Sequence, residues 1–184
     1  MTGYLTLIAG VLLWSGSHLW KRLAPENRKR MGEAGKGLVA VLSLAGIVLM
    51  VLGYRWAPVD QIWPTSRGSV HFNNLLVLLA FYLFAASGMK TGVTRFVRHP
   101  QLWAVRLWAL AHILVNGDLA SFILFAGLFA WAQVSALLIN RDVPYWDKNP
   151  PVPMGKEIGA ALGALVVFGV VAMIHLWLGN NPFG

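Results

Sequence analysis

Two ionisable side chains, Arg106 and His112, lie within a mostly apolar run at residues 102–115. Placing an arginine at the centre of a bilayer costs about 2.5–3.5 kcal/mol, so ionisable residues in such runs usually have a function. An imidazole can bind a metal or transfer a proton, and a guanidinium can hold an anion. This pair therefore predicts a cofactor-binding or proton-transfer site inside a membrane.

The chain has five histidines, and each has a structural alternative to a ligand role. For His112 the alternative is a buried histidine that is hydrogen-bonded to a neighbouring helix. His18 lies near the end of the first apolar run, where an interfacial position would explain it. His71 and His175 fall near the outer ends of their runs, where they could form a second pair facing the periplasm, although snorkelling or capping is the simpler explanation. His99 precedes a proline, which favours a structural role at the start of a helix.

The absence of cysteine restricts the chemistry of any cofactor. It excludes thiolate metal ligands, iron–sulfur clusters and a haem attached covalently through a CxxCH motif. Haem in a helical bundle typically takes axial histidines from facing helices, with basic side chains near its propionates. A non-covalent haem b fits this pattern.

His18 and His112 are the predicted axial ligands, with His99 as the alternative to His18 for the second position. His112 lies about 16 Å along its helix at 1.5 Å per residue. For both histidines to reach one iron, the first helix must therefore extend past Trp20, or the helices must tilt. The residues predicted to contact the cofactor, through its propionates or through the hydrogen bonds around it, are Arg98, His99, Arg106, Trp108 and Asn116.

Long apolar runs predict an all-α, polytopic membrane helix bundle that forms a single domain over residues 1–184. Hydrophobic residues make up 57% of the chain and charged residues 12%, about half the charged share of a globular protein. A membrane-crossing helix needs about 20 mostly apolar residues. The six predicted spans are residues 3–20, 37–54, 71–87, 102–115, 119–139 and 158–178, with Asp118 as the N-cap of the fifth.

The net charge of +8 is distributed as topology determinants rather than as a nucleic-acid surface. Most basic residues follow spans one, three and five, whereas the opposite side holds only Arg55 and Arg67. By the positive-inside rule the first group faces the cytoplasm, which places both termini outside. A nucleic-acid partner is excluded because no soluble basic face is available to follow phosphates. Residues 143–154 form a proline-rich cytoplasmic linker.

Several motifs, taken together, match a known family pattern. They are RHPQLWAVRLWALAHILVNGDLASFILF at residues 98–125, KGLVAVLSLAGIVLMVLGYRWAP at residues 36–58, IHLWLG near the end of the chain, and His18. Over nearly its whole length the chain resembles the NnrU family of bacterial inner-membrane proteins. It is also similar to plant and cyanobacterial 15-cis-zeta-carotene isomerase, a haem b enzyme whose iron is held by membrane histidines.

This resemblance implies an inner-membrane protein associated with denitrification and nitric oxide metabolism, with isomerase-like redox chemistry on an apolar substrate as one form of its activity. By position, the motif histidines are His18, His99 and His112, of which the first and last are the best axial candidates. Arg106 departs from the pattern, because many relatives have an apolar residue there. The resemblance implies haem b as the cofactor and nitric oxide or an apolar small molecule as the substrate. It also implies that the protein lies in the lipid bilayer.

Two alternatives remain open. Membrane methyltransferases of the isoprenylcysteine and phospholipid type, which use S-adenosylmethionine, also have an Arg-His-Pro sequence before a helix, as at residues 98–100. Their paired acidic motif is reduced here to Asp142 and Asp147. The other alternative is a non-enzymatic accessory protein of a nitrogen-oxide reductase, with a membrane protein partner or a second copy of the chain. Gly155, Gly159 and Gly163 predict close helix packing on the sixth span.

Overall fold

The computed structural model describes all residues, 1–184, and is all-α, as the sequence predicts. Seven α-helices follow one another along the chain, with a single 3₁₀ turn at Gly92–Arg95. The helices are α1 Thr2–Leu23, α2 Pro25–Arg30, α3 Gly32–Trp56, α4 Arg67–Met89, α5 Pro100–Asn116, α6 Leu119–Asp142 and α7 Met154–Trp177. The proline-rich linker is non-helical up to Pro153, as expected.

Six of these helices coincide with the six predicted spans, and four of them are long and apolar enough to cross a membrane: α3, α4, α6 and α7. The chain is therefore a multi-pass membrane protein. The 17-residue α5 is short for a span, and α1 also falls outside the group of four. The six-span topology with both termini outside stays a prediction. The short α2 was not predicted, because its six residues lie inside a strongly basic segment.

The chain forms two compact units. The first contains residues 1–63 and 117–142, and so holds α1, α2, α3 and α6. The second contains residues 64–116 and 143–184, and so holds α4, the 3₁₀ turn, α5 and α7.

In the first unit, α1 and α3 approach each other along glycines. A Cβ atom at Gly10 would lie 2.6 Å from the backbone nitrogen of Met50, and Cβ atoms at Gly3, Gly46 and Gly53 would also press on the backbone of the facing helix. On each helix the two glycines are seven residues apart, which places them on one face. Glycine is required at these contacts because the two backbones leave no room for a side chain.

The Asn-Gly-Asp turn before α6 has the predicted cap. Asp118 Oδ1 accepts the backbone N–H of Ser121 at 2.8 Å, and Oδ2 accepts the Ser121 hydroxyl at 2.6 Å. Gly117 has a φ of 63°, and a Cβ atom there would collide with the carbonyl of Trp63. The Gly117 carbonyl accepts the N–H of Ile62 at 2.7 Å. These contacts fix the position at which α6 begins.

In the second unit, α5 and α7 both pack against α4. The 3₁₀ turn is joined to the start of α7 by Glu157, whose Oε1 accepts the backbone N–H of Gly92 at 2.6 Å. Small side chains at the α4–α5 contact bring these two helices close together. The buried residues of this contact are Leu76, Val77, Ala80, Leu83, Ala104 and Ala111.

The glycines of α7 do not mediate close packing with another helix of the chain, so the packing predicted for them is not found within it. A Cβ atom at Gly155 or Gly163 would meet nothing within 4 Å, and one at Gly159 would meet only the side chain of Met89, at 3.3 Å. The close glycine contacts lie between α1 and α3 instead.

Candidate functional site

His112 is partly buried in α5. A hydrogen bond to the helix backbone determines which of its ring nitrogens bears the proton. Its Nδ1 lies 2.9 Å from the Trp108 carbonyl oxygen, one turn earlier. A carbonyl can only accept a hydrogen bond, so Nδ1 carries the proton and the neutral ring has its lone pair on Nε2. The Trp108 ring centroid lies 5.1 Å from that of His112. His112 therefore has the tautomer that binds a metal through Nε2.

Asn116 and Trp108 both contact His112 through the backbone of α5. The Asn116 Nδ2 donates to the His112 backbone carbonyl at 2.9 Å, while Trp108 uses its carbonyl. Both predicted residues thus act on the orientation of His112 through the backbone of α5. Pro100 opens this helix, as predicted, and the His99 carbonyl accepts the N–H of Trp103 at 3.0 Å.

His175, in α7, has the same arrangement as His112. Its Nδ1 lies 2.8 Å from the Val171 carbonyl oxygen, which again leaves the lone pair on Nε2. His175 belongs to the same compact unit as His112. From the sequence, snorkelling or capping is the simpler explanation of His175, because it lies near a helix end. Only the packing of α5 and α7 on α4 associates the two histidines.

His18, in α1 of the first unit, repeats the arrangement with an aromatic environment. Its Nδ1 lies 2.8 Å from the Trp14 carbonyl oxygen, and the Ser17 hydroxyl is 3.3 Å away. The Trp14 ring is stacked near the imidazole at 3.9 Å between centroids, and the Trp131 ring of α6 meets it edge-on at 5.4 Å. α1 continues to Leu23 and so extends beyond Trp20. Such an extension was one of the two conditions under which His18 and His112 could reach one iron, the other being a tilt of the helices.

Arg106 is buried, with 6% of its surface exposed. Its Nε donates to the Leu102 carbonyl at 3.2 Å, and its Cζ lies 4.0 Å from the centre of the Trp103 ring. A cation over an indole face is stabilised by the quadrupole of the ring. The aromatic residue thus offsets part of the cost of burying this charge within α5.

Arg98 and the histidine that follows it lie at the start of α5, next to the linker. The Arg98 guanidinium donates to the backbone carbonyls of Val143 and Tyr145, the second at 3.3 Å. It therefore holds the beginning of the proline-rich linker against the second unit. His99 is partly buried and His71 is exposed. The cofactor roles predicted for Arg98 and His99 stay predictions.

The histidines are thus distributed over both units. His112 and His175, together with all five predicted cofactor-contact residues, belong to the second unit, and His18 belongs to the first. The axial pairing of His18 with His112 stays a prediction from the sequence. No three His, Cys, Asp or Glu side chains come together to hold a metal ion. The donor chemistry, neutral imidazoles presenting Nε2, fits haem iron, which needs only one or two protein ligands.

The sequence model of the NnrU protein family matches residues 6–182. This chain belongs to the NnrU family. No curated protein and no solved structure matches it. The NnrU match includes α1 with His18, α5 with His112 and α7 with His175, so all three backbone-bonded histidines lie within the family region.

Proposed function

We propose that this NnrU-family chain is a haem-b-binding protein of the bacterial inner membrane that acts in denitrification and nitric oxide metabolism. The observation that supports the proposal best is the shared state of His18, His112 and His175. In each, Nδ1 is bonded to the carbonyl four residues earlier. A histidine that binds a metal almost always donates its other ring N–H to a carboxylate, a carbonyl or water, which fixes its tautomer and orientation.

His112 is the first proposed ligand, because it lies in the middle of a family motif and within an apolar helix. The sequence favours His18 as its partner. His175 is a second candidate for that position, since it lies in the same unit as His112 and its Nδ1 is likewise bonded to the helix backbone. When bound, haem b would supply a redox centre and an iron that can bind nitric oxide.

The residues of the chain would position the haem and limit its exposure to water. The Trp108 carbonyl keeps the proton of His112 on Nδ1, so Nε2 stays basic. The Asn116 amide holds the same turn of α5 through the His112 carbonyl. Arg106, with its cation–π contact to Trp103, provides a fixed positive charge one and a half turns away, suited to a propionate.

An optical spectrum tests the proposal. Protein purified in detergent from haem-replete cells should give a stoichiometric b-type spectrum, with sharp bands on reduction and a haem b pyridine haemochrome. A colourless protein would contradict haem binding. His71→Ala should give the wild-type spectrum and is the control for variants of the proposed ligands, because His71 is exposed and near a helix start.

Alanine variants identify the ligands. His112→Ala should lose haem or become high-spin. Of His18→Ala and His175→Ala, the one that removes the second ligand should shift the Soret band to a high-spin position, while the other keeps the wild-type spectrum. If all three variants keep the wild-type spectrum, the ligand assignment is wrong even if haem binds.

A membrane methyltransferase is the second candidate, and it is supported by the Arg98-His99-Pro100 sequence that opens α5. Two contacts weigh against it. Arg98 bonds to linker carbonyls, and one acidic residue of the reduced motif, Asp142, is ion-paired with Arg22 and Arg141. Saturable binding of S-adenosylmethionine by the haem-free protein would support this candidate over the first.

A further inference from the structure

Two indole N–H groups in the first unit have no acceptor. The Nε1 atoms of Trp14 and Trp131 are buried and make no hydrogen bond. Both rings contact the His18 imidazole, and the two indoles contact each other at 5.9 Å between centroids. Buried donors without a partner are rare and unfavourable, so a pair of them around one imidazole needs an explanation.

A purely apolar role would not require these residue types. Phenylalanine would fill similar space without placing an N–H group away from water. The neighbouring Ser17 hydroxyl donates to the Trp14 carbonyl at 2.8 Å and lies 3.2 Å from the Ser43 hydroxyl, and neither indole N–H bonds to it. The indole donors therefore lack an acceptor supplied by the surrounding residues.

The donors continue along one face of α1. Trp14, His18 and Arg22 are spaced four residues apart, so they lie one above another on the helix. Arg22 bonds to Asp142 through Nη1 at 3.3 Å, but its buried Nε has no acceptor. This face, which we call the donor face, thus presents the unsatisfied N–H groups of an indole and a guanidinium on either side of His18, and Trp131 of α6 adds a second indole. Unsatisfied donors of this kind suit an anionic oxygen.

We propose that Trp14 and Trp131 donate hydrogen bonds to a carboxylate or similar oxyanion of a ligand that binds beside His18. The inference rests on the proposed function where the acceptor is a haem propionate. The same donors would also accept a free oxyanion such as nitrite. In either case the two tryptophans set the preference for a negatively charged group at the donor face.

The test compares haem b with its dimethyl ester, in which both propionates lose their charge. Purified wild-type protein should bind haem at least tenfold more tightly than the ester, because a hydrogen bond to a charged acceptor is worth about a factor of ten or more. The double variant Trp14→Phe/Trp131→Phe should lose most of this preference. Trp56→Phe is the control, since Trp56 is in the same unit and 58% exposed. An unchanged preference in the double variant would overturn the inference.

A second measurement is made on the wild-type protein. In ¹⁵N-tryptophan-labelled wild-type protein, two indole N–H resonances should move downfield when zinc protoporphyrin is added, and single Trp→Phe variants assign them. Failure of haem and zinc protoporphyrin to bind at all would contradict the proposed function. Nitrite then decides the inference: a downfield shift of the same two resonances supports it with a free oxyanion as the ligand, and no shift overturns it.

Discussion

Gly10 of α1 lies so close to Met50 of α3 that a Cβ atom at position 10 would be 2.6 Å from the Met50 backbone nitrogen. This contact joins α1, which carries most of the donor face, to α3. The nearest atom is backbone, which cannot rotate away as a flexible side chain could. The close approach therefore depends on glycine at this position.

Gly10→Ala should destabilise the protein by about 1–3 kcal/mol, the usual cost of adding an atom to a filled contact. Gly16→Ala is the matched control, since it is in the same helix and a Cβ atom there meets nothing within 4 Å. The control should be neutral or stabilising, because alanine is favoured over glycine in helices by about 1 kcal/mol. Thermal unfolding in detergent measures both, and equal melting temperatures would contradict the contact.

Asp118→Ala should weaken the start of α6. The carboxylate accepts two hydrogen bonds from Ser121, and loss of an N-cap typically costs about 1 kcal/mol. Asp118→Asn keeps one acceptor oxygen and should lose less. Amide hydrogen exchange at residues 119–122 should accelerate in the alanine variant and much less in the asparagine variant. Identical exchange in all three proteins would show that the cap does not stabilise this helix.

Glu157→Ala should release the 3₁₀ turn from α7. Its carboxylate accepts the Gly92 N–H at 2.6 Å, and a hydrogen bond to a charged group is worth about 1.5–3 kcal/mol. Glu157→Gln retains an oxygen acceptor and should show a smaller effect. Limited proteolysis near residues 90–96 should become faster in the alanine variant. The control is Lys156→Ala, an exposed neighbour; equally fast cleavage in that control would argue against a specific role of Glu157.

The predicted topology can be tested with single cysteines, because the chain contains none. With six spans and both termini outside, Lys29→Cys and Lys148→Cys should be protected from a membrane-impermeant maleimide in intact spheroplasts, whereas Val59→Cys should react. If only α3, α4, α6 and α7 crossed the membrane, position 148 would be on the same side as position 59. Reaction at position 148 together with 59, but not at 29, would therefore exclude the six-span topology.

The sequence determined the helices and several of their ends. Apolar runs predicted all six long helices, because a segment that crosses or enters lipid must satisfy its backbone groups within itself. The proline at position 100 and the N-capping aspartate at position 118 predicted where α5 and α6 begin. The sequence also indicated His18 and His112 as candidate ligands, since histidines are unusual in or near an apolar run. Their ligand roles stay predictions. The fourth span was expected to be short, and α5 is the shortest of these helices.

Only the tertiary structure decided which of these residues meet. The glycine contact between α1 and α3 replaced the one expected in α7, because glycine spacing shows that a close approach is allowed but not which helix provides it. In the same way, no local pattern places Trp131 of α6 beside His18 of α1, or associates His175 with His112. Helix formation is decided by interactions within a few residues, whereas these contacts depend on how side chains far apart in the chain fit together when the helices pack.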